Sequence, residues 1–198
     1  MTRRALAVAV IAALAFVMGW ALFVALPHWY RRAPPAAATA NPSPSPVDAA
    51  QAAAARKITA TLYYVSDDGM ALVGTQKEVP YAAAVADQAR AILEAQLAPA
   101  LPLVSAIPAG TKLKQVFVTE RGDAFVDFSA DITAGHPGGS LEETLTVYTV
   151  VDVLAVNLPA ITHVQILVDG KEVDTLAGHV DLRQPLAKSL DWVVHDTH

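Results

Sequence analysis

The chain has 198 residues, a formal net charge of −5 and no cysteine. The acidic balance argues against nucleic acid as a partner, and the lack of cysteine excludes disulfides and anchoring through a lipidated cysteine. The hydrophobic fraction of 54% is above the usual range for a soluble domain, but part of it lies in one N-terminal run and in an alanine-rich stretch.

The first element in the chain is an apolar run without charge over residues 5–26. A helix of this length would extend about 33 Å, enough for a bilayer core of about 30 Å. A cleaved signal peptide with a site near residues 36–38 is the alternative, but its apolar core would be shorter, about 7–15 residues. We therefore predict a transmembrane signal-anchor helix after a cytoplasmic segment 1–4. Arginine pairs at 3–4 and 31–32 flank the run, so charge alone does not fix its orientation.

Residues 27–57 follow as a stretch rich in proline and alanine, which includes the sequence Asn-Pro-Ser-Pro-Ser-Pro at 41–46. Such a composition cannot bury enough apolar surface to offset the entropy lost on ordering. It predicts a disordered linker, which its prolines extend to about 3 Å per residue.

From residue 58 onward, alternating and helical patterns predict a folded domain over 58–190 and a polar tail at 191–198. In chain order the patterns predict strands at 58–64 and 70–79, a helix at 80–97, strands at 113–119 and 124–128, a helix at 140–157, strands at 163–168 and 171–176, and an extended segment at 177–182. The order is roughly ββαββαββ. It predicts an α+β fold in which two helices pack on one face of a mainly antiparallel sheet.

Two local signals accompany these elements. Ser140 and Glu143 fit the S-x-x-E capping box, so Ser140 is predicted as the N-cap of the second helix. The dipeptide Asp169-Gly170 predicts a tight hairpin turn between two strands.

The acidic candidates for acid–base chemistry are five aspartates. They are Asp127, Asp131, Asp152, Asp169 and Asp181. We interpret Asp169 as a turn residue and Asp127 as a solvated carboxylate on the outward side of its strand. Asp152 continues the helical spacing of Leu141, Leu145 and Tyr148, so it is predicted to face an apolar surface, satisfied by a backbone hydrogen bond.

Histidines and serines give weaker signals. His179 and Asp181 offer two potential metal ligands, but no HExxH motif or third local ligand accompanies them. The serines do not lie in a nucleophile-elbow motif, and the glycine pair is too short for a phosphate-binding loop; these residues are Ser105, Ser129, Ser140 and Gly138-Gly139. The other histidines lack the spacing of metal ligands; they are His136, His163, His195 and His198. The residues therefore predict no catalytic residue, no metal site and no cofactor.

Several sequence blocks resemble the GerMN domain of sporulation and spore-germination proteins. The blocks lie at 62–64, 107–113, 124–129, 139–143, 148–154, 164–173 and 176–182. The resemblance covers about 58–186 and implies a membrane-tethered α+β domain outside the cytoplasm, used for protein–protein association or envelope assembly, without established catalytic activity. Family members that take part in sporulation are often lipid-anchored or carry two copies of the domain, whereas this chain has one copy and no cysteine, which argues against a role in sporulation itself.

Three hypotheses of function follow. The first is a non-catalytic module of a single-pass membrane protein that binds another envelope protein or a copy of itself. The second is a cell-wall or small-ligand binding domain with an aromatic pocket, for which Tyr63, Tyr64 and Tyr81 are the candidates. The third is an envelope hydrolase, which needs residues such as Asp127, Asp152, His163 and His179 to converge in one cleft.

Overall fold

The computed structural model of the protein describes residues 16–20 and 56–194. Residues 16–20 are helical and exposed, and they belong to the predicted membrane span 5–26. The rest of that span, residues 27–55 of the predicted linker and residues 195–198 of the predicted tail lie outside the described residues. In the parts of the chain that the structure describes, no helix combines the length and apolar character needed to cross a membrane.

Residues 56–194 form an α+β domain, as predicted. The elements are β1 (Lys57–Val65), β2 (Leu72–Pro80), α1 (Val85–Leu97), β3 (Leu113–Val118), β4 (Asp123–Phe128), α2 (Asp131–Ala134), α3 (Ser140–Asn157), β5 (His163–Val168), β6 (Lys171–Glu172), β7 (Leu186–Ala187) and a 3-10 turn at Leu190–Trp192. The two long helices correspond to the predicted ones. Helix α2 and the 3-10 turn are too short to leave a periodic signal in the sequence.

The strands form two sheets rather than the one predicted. Strands β1 and β2 make an antiparallel hairpin in which Lys57 lies opposite Pro80 and Val65 opposite Leu72. Pro80 therefore ends β2, where a missing N–H is tolerated, and the prediction that it opens the first helix is wrong.

The second sheet has the order β3-β4-β5-β6, and β7 pairs with the other end of β5. Most pairs are antiparallel, as predicted, but β4 and β5 run parallel. The reason is that α3 carries the chain back between them, so that β5 starts from the same end as β4.

The helices contact both sheets instead of packing on one face of one sheet. Helix α1 contacts β1, β2 and β3, and helix α3 contacts β1 and β5. Helix α3 is consequently buried along most of its length, with apolar side chains on several sides. Its core residues are Leu145, Val147, Val150, Val151, Val153 and Leu154.

The predicted capping box at the start of α3 is wrong. Ser140 is the first helical residue, Gly139 is the N-cap with a φ of 92°, and no side chain caps the helix. Glu143 does not reach back to the cap because its side chain is fully buried and hydrogen-bonded to residues 176–179.

The C-terminal part of the domain also differs from the prediction. The predicted strand 171–176 is reduced to Lys171–Glu172, and the segment 177–182 forms no strand. Residues 186–194, which we call the C-terminal strap, pair with β5 through β7 and then return to β2, where the Val194 N–H donates to the Leu72 carbonyl at 2.8 Å. Residues 191–194, the start of the predicted polar tail, are thus part of this strap.

Candidate functional site

An exposed apolar loop connects α1 to β3. Helix α1 stops before Pro99, since a proline disfavours the helical conformation of the residue that precedes it. In the following residues 98–105, which we call the apolar loop, Leu101 is 92% exposed, Val104 62% and Leu103 40%. Three large aliphatic side chains therefore face solvent within four consecutive positions.

The apolar loop is fixed to the end of β1. The Val65 N–H donates to the Val104 carbonyl at 2.8 Å, and the two residues form an isolated antiparallel bridge. Inside the loop, the Leu103 N–H donates to the Ala100 carbonyl at 2.9 Å and closes a turn. These backbone bonds hold the exposed side chains on a defined surface.

Two clefts flank the apolar loop. One has a volume of about 320 Å³ and includes Tyr64, Leu97 and Ile107 in its lining. The other has a volume of about 400 Å³ and includes Val65 and Ser66 in its lining. Leu103 lines both clefts, so the loop forms an apolar ridge between two depressions.

The three tyrosines proposed for an aromatic pocket have different environments. Tyr64 lines the smaller cleft, and burial raises the pKa of its hydroxyl. Tyr63 is 3% exposed, and its pKa is raised to about 12 by burial and, to a lesser extent, by the negative charge of Asp152. Tyr81 stacks against Arg56, whose guanidinium carbon lies 4.2 Å from the ring centre. Of the three, Tyr64 alone faces a cleft beside the apolar loop.

Asp127 is not the solvated carboxylate that its strand phase predicts. It is 8% exposed, and its Oδ1 accepts a hydrogen bond from the Gly170 N–H at 2.7 Å. Asp169 is the predicted turn residue, with a φ of 49°, and its carboxylate pairs with Lys114 at 2.9 Å. Both aspartates therefore support the β5–β6 turn.

Asp152 is fully buried, and a backbone group satisfies one of its oxygens, as predicted. Its Oδ1 accepts a hydrogen bond from the Ser189 N–H at 3.0 Å, while Oδ2 is buried without a partner. Burial raises its pKa to about 7, and the nearby Asp191 adds to this; the Ser189 hydrogen bond and the charge of Lys188 oppose it. The partner of Asp152 is thus the C-terminal strap.

Glu143 is a buried carboxylate that the sequence interpretation missed. Its side chain accepts hydrogen bonds from the backbone N–H groups of Leu176, Ala177 and His179 at 2.7–2.9 Å. His179 Nδ1 also lies 3.1 Å from Glu143 Oε2. Burial raises the pKa of Glu143, but these hydrogen bonds outweigh it and leave the pKa lowered. The available sequence signal is an acidic residue in the first turn of α3, which the capping-box pattern interprets differently.

The other candidates also have local partners. His163 Nδ1 lies 3.6 Å from Asp123 Oδ1, and Asp181 forms a two-pronged ion pair with Arg183. Ser129 donates to Asp131, at 2.8 Å. His136 lies 3.3 Å from the hydroxyl of Thr146.

The four residues that a hydrolase would need do not contact one another. None of the hydrogen bonds or ion pairs among the described residues joins any two of Asp127, Asp152, His163 and His179. Asp127 lies four residues along β4 from Asp123, the residue opposite His163, which is a separation of about 13 Å. Within residues 16–20 and 56–194, no three His, Asp or Glu side chains are grouped so as to hold a metal ion.

The order of the elements, the parallel β4–α3–β5 unit and the apolar loop define a small α+β domain. The family Germane, described as "Sporulation and spore germination", matches residues 61–174, more than half of the chain. The chain therefore belongs to this family, and the resemblance to GerMN domains is confirmed.

The two solved structures with a TM-score above 0.5 share this fold. The first GerMN domain of the sporulation protein GerM from Bacillus subtilis has a TM-score of 0.52 at 20% identity, covering 68% of this chain and 99% of that one. The tandem GerMN domains of the same protein have a TM-score of 0.53 at 18% identity, covering 67% of this chain and 46% of that one. A candidate lipoprotein from Clostridium perfringens has a TM-score of 0.47 at 22% identity, with coverages of 67% and 88%. No curated protein matches the chain.

Proposed function

We propose that this protein is a non-catalytic association domain of the cell envelope whose apolar loop binds another protein. Residues 5–26 serve as an uncleaved single-pass anchor, residues 27–57 serve as a spacer, and the domain lies outside the cytoplasm. The observation that carries the proposal is the ridge formed by Leu101, Leu103 and Val104 between two clefts. Membership of a sporulation and spore-germination family supports the choice of domain class.

The chemistry of the apolar loop suits a protein partner. Residues 98–105 contain no charged side chain, and the buried centres of protein interfaces are depleted in charge. Burying an aliphatic side chain of this size is favourable by roughly 1.5–3 kcal/mol relative to leaving it exposed. A partner with an apolar surface that covers the ridge would therefore gain stability from each of the three side chains.

The separate positions of the candidate carboxylates and histidines support a non-catalytic role. Asp127, Asp152 and Glu143 each accept backbone hydrogen bonds from a different segment. Such contacts stabilise loops. They give these carboxylates a structural role that requires no substrate.

The cleft that contains Tyr64 supports a second candidate function, the binding of a small cell-wall fragment. Its volume of about 320 Å³ falls at the lower end of the range of ligand sites, about 300–1,000 Å³. Titration of the full chain in detergent with soluble peptidoglycan fragments tests this function. Chemical-shift changes confined to Tyr64, Leu97 and Ile107 would support it, and unchanged shifts at millimolar fragment would contradict it.

The association function is tested by cross-linking in intact membranes followed by mass spectrometry. The unsubstituted chain is compared with Leu101→Asp and with Met70→Asp, a matched change at a side chain that is 61% exposed in the β1–β2 turn. We expect Leu101→Asp to lose the cross-linked partner and Met70→Asp to keep it, because a carboxylate at position 101 would have to be buried unpaired in the interface.

Two results would contradict the proposal. One is a partner whose yield is equal in all three chains, which would show that the apolar loop is not the interface. The other is a full chain found wholly in the soluble fraction, which would rule out the proposed membrane anchor. Circular dichroism of both variants checks that the domain remains folded.

A further inference from the structure

We propose that the outer edge of β2 accepts an extended segment of a partner protein as an additional strand. The surface is the row of backbone groups of Gly74, Gln76 and Glu78, which we call the β2 edge. This inference rests on the proposed function for the existence of a partner. It uses residues other than the apolar loop, so the two surfaces can be tested separately.

The hydrogen bonds of β1 show which backbone groups of β2 point outward. Thr61 and Tyr63 bond with their N–H and C=O groups to the side chains of Asn157 and Gln96, so these backbone groups point away from β2. In an antiparallel pair, two opposite residues point their backbone groups either both inward or both outward. The residues opposite Thr61 and Tyr63 are Gln76 and Gly74, which must therefore point away from β1.

Two further residues of β2 follow the same alternation. Glu78 and Leu72 are in phase with Gly74 and Gln76, and the Leu72 carbonyl does accept a bond from outside, from the Val194 N–H of the C-terminal strap. Among the described residues, no hydrogen bond reaches the backbone groups of Gly74, Gln76 and Glu78. Within residues 56–194, the strap thus closes one end of the edge, and the six backbone groups of the other three residues have no partner there.

The other sheet edges among the described residues are partly capped, irregular or short. The outer edge of β1 is capped by the two side-chain amides and by Val104. Strand β3 has an irregular register between Leu113 and Gln115, and β6 and β7 have two residues each. Bulges and very short edge strands are devices that prevent pairing with another chain. The nine-residue β2 has a regular register without a bulge between Gly74 and Glu78, and its charged residues there are Lys77 and the ion-paired Glu78.

Three antiparallel registers in which a second copy could pair with the β2 edge are unfavourable. If two β2 strands paired antiparallel about Gln76, Pro80 of one copy would lie opposite Leu72 of the other, where Val193 already lies. Centring the pair on Lys77 would place two like charges opposite each other, and centring it on Glu78 would do the same, which is destabilising. These three registers disfavour self-pairing, and we assign the edge to a strand from a different protein.

The charges beside the β2 edge specify the partner further. Glu78 is ion-paired with Lys57 at 2.9 Å, whereas Lys77 has no carboxylate within ion-pair distance among the described residues. An acidic side chain opposite Lys77 would complement it, as cross-strand pairs of opposite charge do. We infer that the partner segment is extended, about five residues long, and carries an acidic residue at its centre.

Amide hydrogen exchange of the full chain in detergent tests this inference with two synthetic peptides. One is Thr-Val-Glu-Val-Thr and the other is Thr-Val-Lys-Val-Thr. In the free chain, the amides of Gly74, Gln76 and Glu78 are expected to exchange much faster than those of Thr75 and Lys77, which face β1. Saturating acidic peptide, with its glutamate opposite Lys77, should slow the outward amides of Gln76 and Glu78 at least about tenfold, and the basic peptide should bind about threefold more weakly.

Substitutions in β2 distinguish the contribution of backbone pairing to peptide binding from the contribution of charge. Lys77→Glu should reverse the preference between the peptides, while Lys171→Glu, a matched change on β6, should leave it unchanged. Gln76→Pro removes one outward N–H without touching the β1 ladder and should weaken binding of both peptides about fivefold or more.

Three results would overturn the inference. The first is the absence of protection at the β2 edge at millimolar concentration of either peptide. The second is protection that appears without peptide and grows with protein concentration, since it would mean self-pairing. The third is a preference for the acidic peptide that survives Lys77→Glu. If Leu101→Asp abolishes the cross-link while the peptides still bind, both surfaces stand. If Leu101→Asp keeps the cross-link while the peptides bind, the apolar loop alone is ruled out as the interface.

Discussion

Asp152 shows how a single side chain can make the stability of this domain depend on pH. The carboxylate is fully buried, and the strap satisfies one of its oxygens while the other has no partner. Its pKa of about 7 in the folded state lies above the ordinary value of 3.8. Between these values the folded chain holds a proton that the unfolded chain has released, so Asp152 makes the domain less stable as pH rises from about 4 to above 7.

We expect Asp152→Asn to remove this pH dependence. The amide oxygen can still accept the Ser189 hydrogen bond, and the group no longer has a charge to bury. The free energy of unfolding at pH 8 should rise by up to about 4 kcal/mol relative to the unsubstituted chain, since each pKa unit corresponds to about 1.4 kcal/mol. Denaturant unfolding at pH 4 and pH 8 measures this.

The control for Asp152 is Asp67→Asn, at an exposed position of the β1–β2 turn. It should keep the pH slope of the unsubstituted chain. An Asp152→Asn variant with the same slope would show that this carboxylate is ionised in the folded domain at neutral pH.

Glu143 represents the opposite case, because its hydrogen bonds favour the charged form. Glu143→Gln should lower the free energy of unfolding by roughly 2–4 kcal/mol at pH 7, since the amide nitrogen would face backbone N–H groups that now donate to a carboxylate. Thermal unfolding gives the measurement, and Glu142→Gln, the exposed neighbour in the same helical turn, is the control. Because the pKa of Glu143 is lowered, its contribution should disappear on acidification below the ordinary carboxylate range, and an effect that persists there would argue against this account.

At the scale of elements, strand β1 is held by backbone hydrogen bonds on one side and by side-chain amides on the other. One side carries the regular ladder to β2, and the other carries the amides of Gln96 and Asn157, which imitate a neighbouring strand. Gln96 belongs to α1 and Asn157 to α3, so these two side chains join both long helices to the first sheet.

Gln96→Ala should destabilise the domain by roughly 2–3 kcal/mol, because the N–H and C=O of Tyr63 would be left buried without partners. Chemical denaturation followed by circular dichroism measures the change. Gln115→Ala, an exposed glutamine of β3, should stay within about 0.5 kcal/mol of the unsubstituted chain. Equal stability of the two variants would mean that water replaces the Gln96 amide at the edge.

The strands and long helices are predictable from sequence because their signals are local. Alternation and the turn residues Asp169 and Gly170 lie within the elements that they specify. The parallel pairing of β4 with β5 and the contact between Asn157 and Thr61 join residues far apart in the chain, and no local pattern encodes them. The exposure of the apolar loop could not be predicted for the same reason. Its prolines mark the end of α1, but whether Leu101 is exposed depends on which surfaces the rest of the domain covers.

At the scale of the whole molecule, the contacts of residues 56–194 predict a domain that folds without the N-terminal segments. A fragment of residues 57–198 should give the same circular dichroism and melting temperature as the domain in the full chain in detergent. An unfolded fragment beside a folded full chain would mean that the domain boundary near Lys57 is misplaced.

A second fragment, residues 57–185, tests the C-terminal strap. Its removal should lower the melting temperature clearly, because Asp152 loses the Ser189 N–H and β2 loses its bond to Val194. Heating both fragments side by side gives the comparison. Identical melting curves would show that the strap lies on the domain without stabilising it.

The position of β1 also has a mechanical consequence. The strand starts at Lys57, where the predicted linker ends, and finishes at Val65, which is bonded to Val104 of the apolar loop. If the proposed anchor pulls on one end and a bound partner holds the apolar loop, the load runs along the strand itself. The ladder to β2 and the amides of Gln96 and Asn157 are then sheared together instead of being peeled apart one bond at a time. We expect the domain to resist extension in this direction far better than in any direction that opens the hairpin.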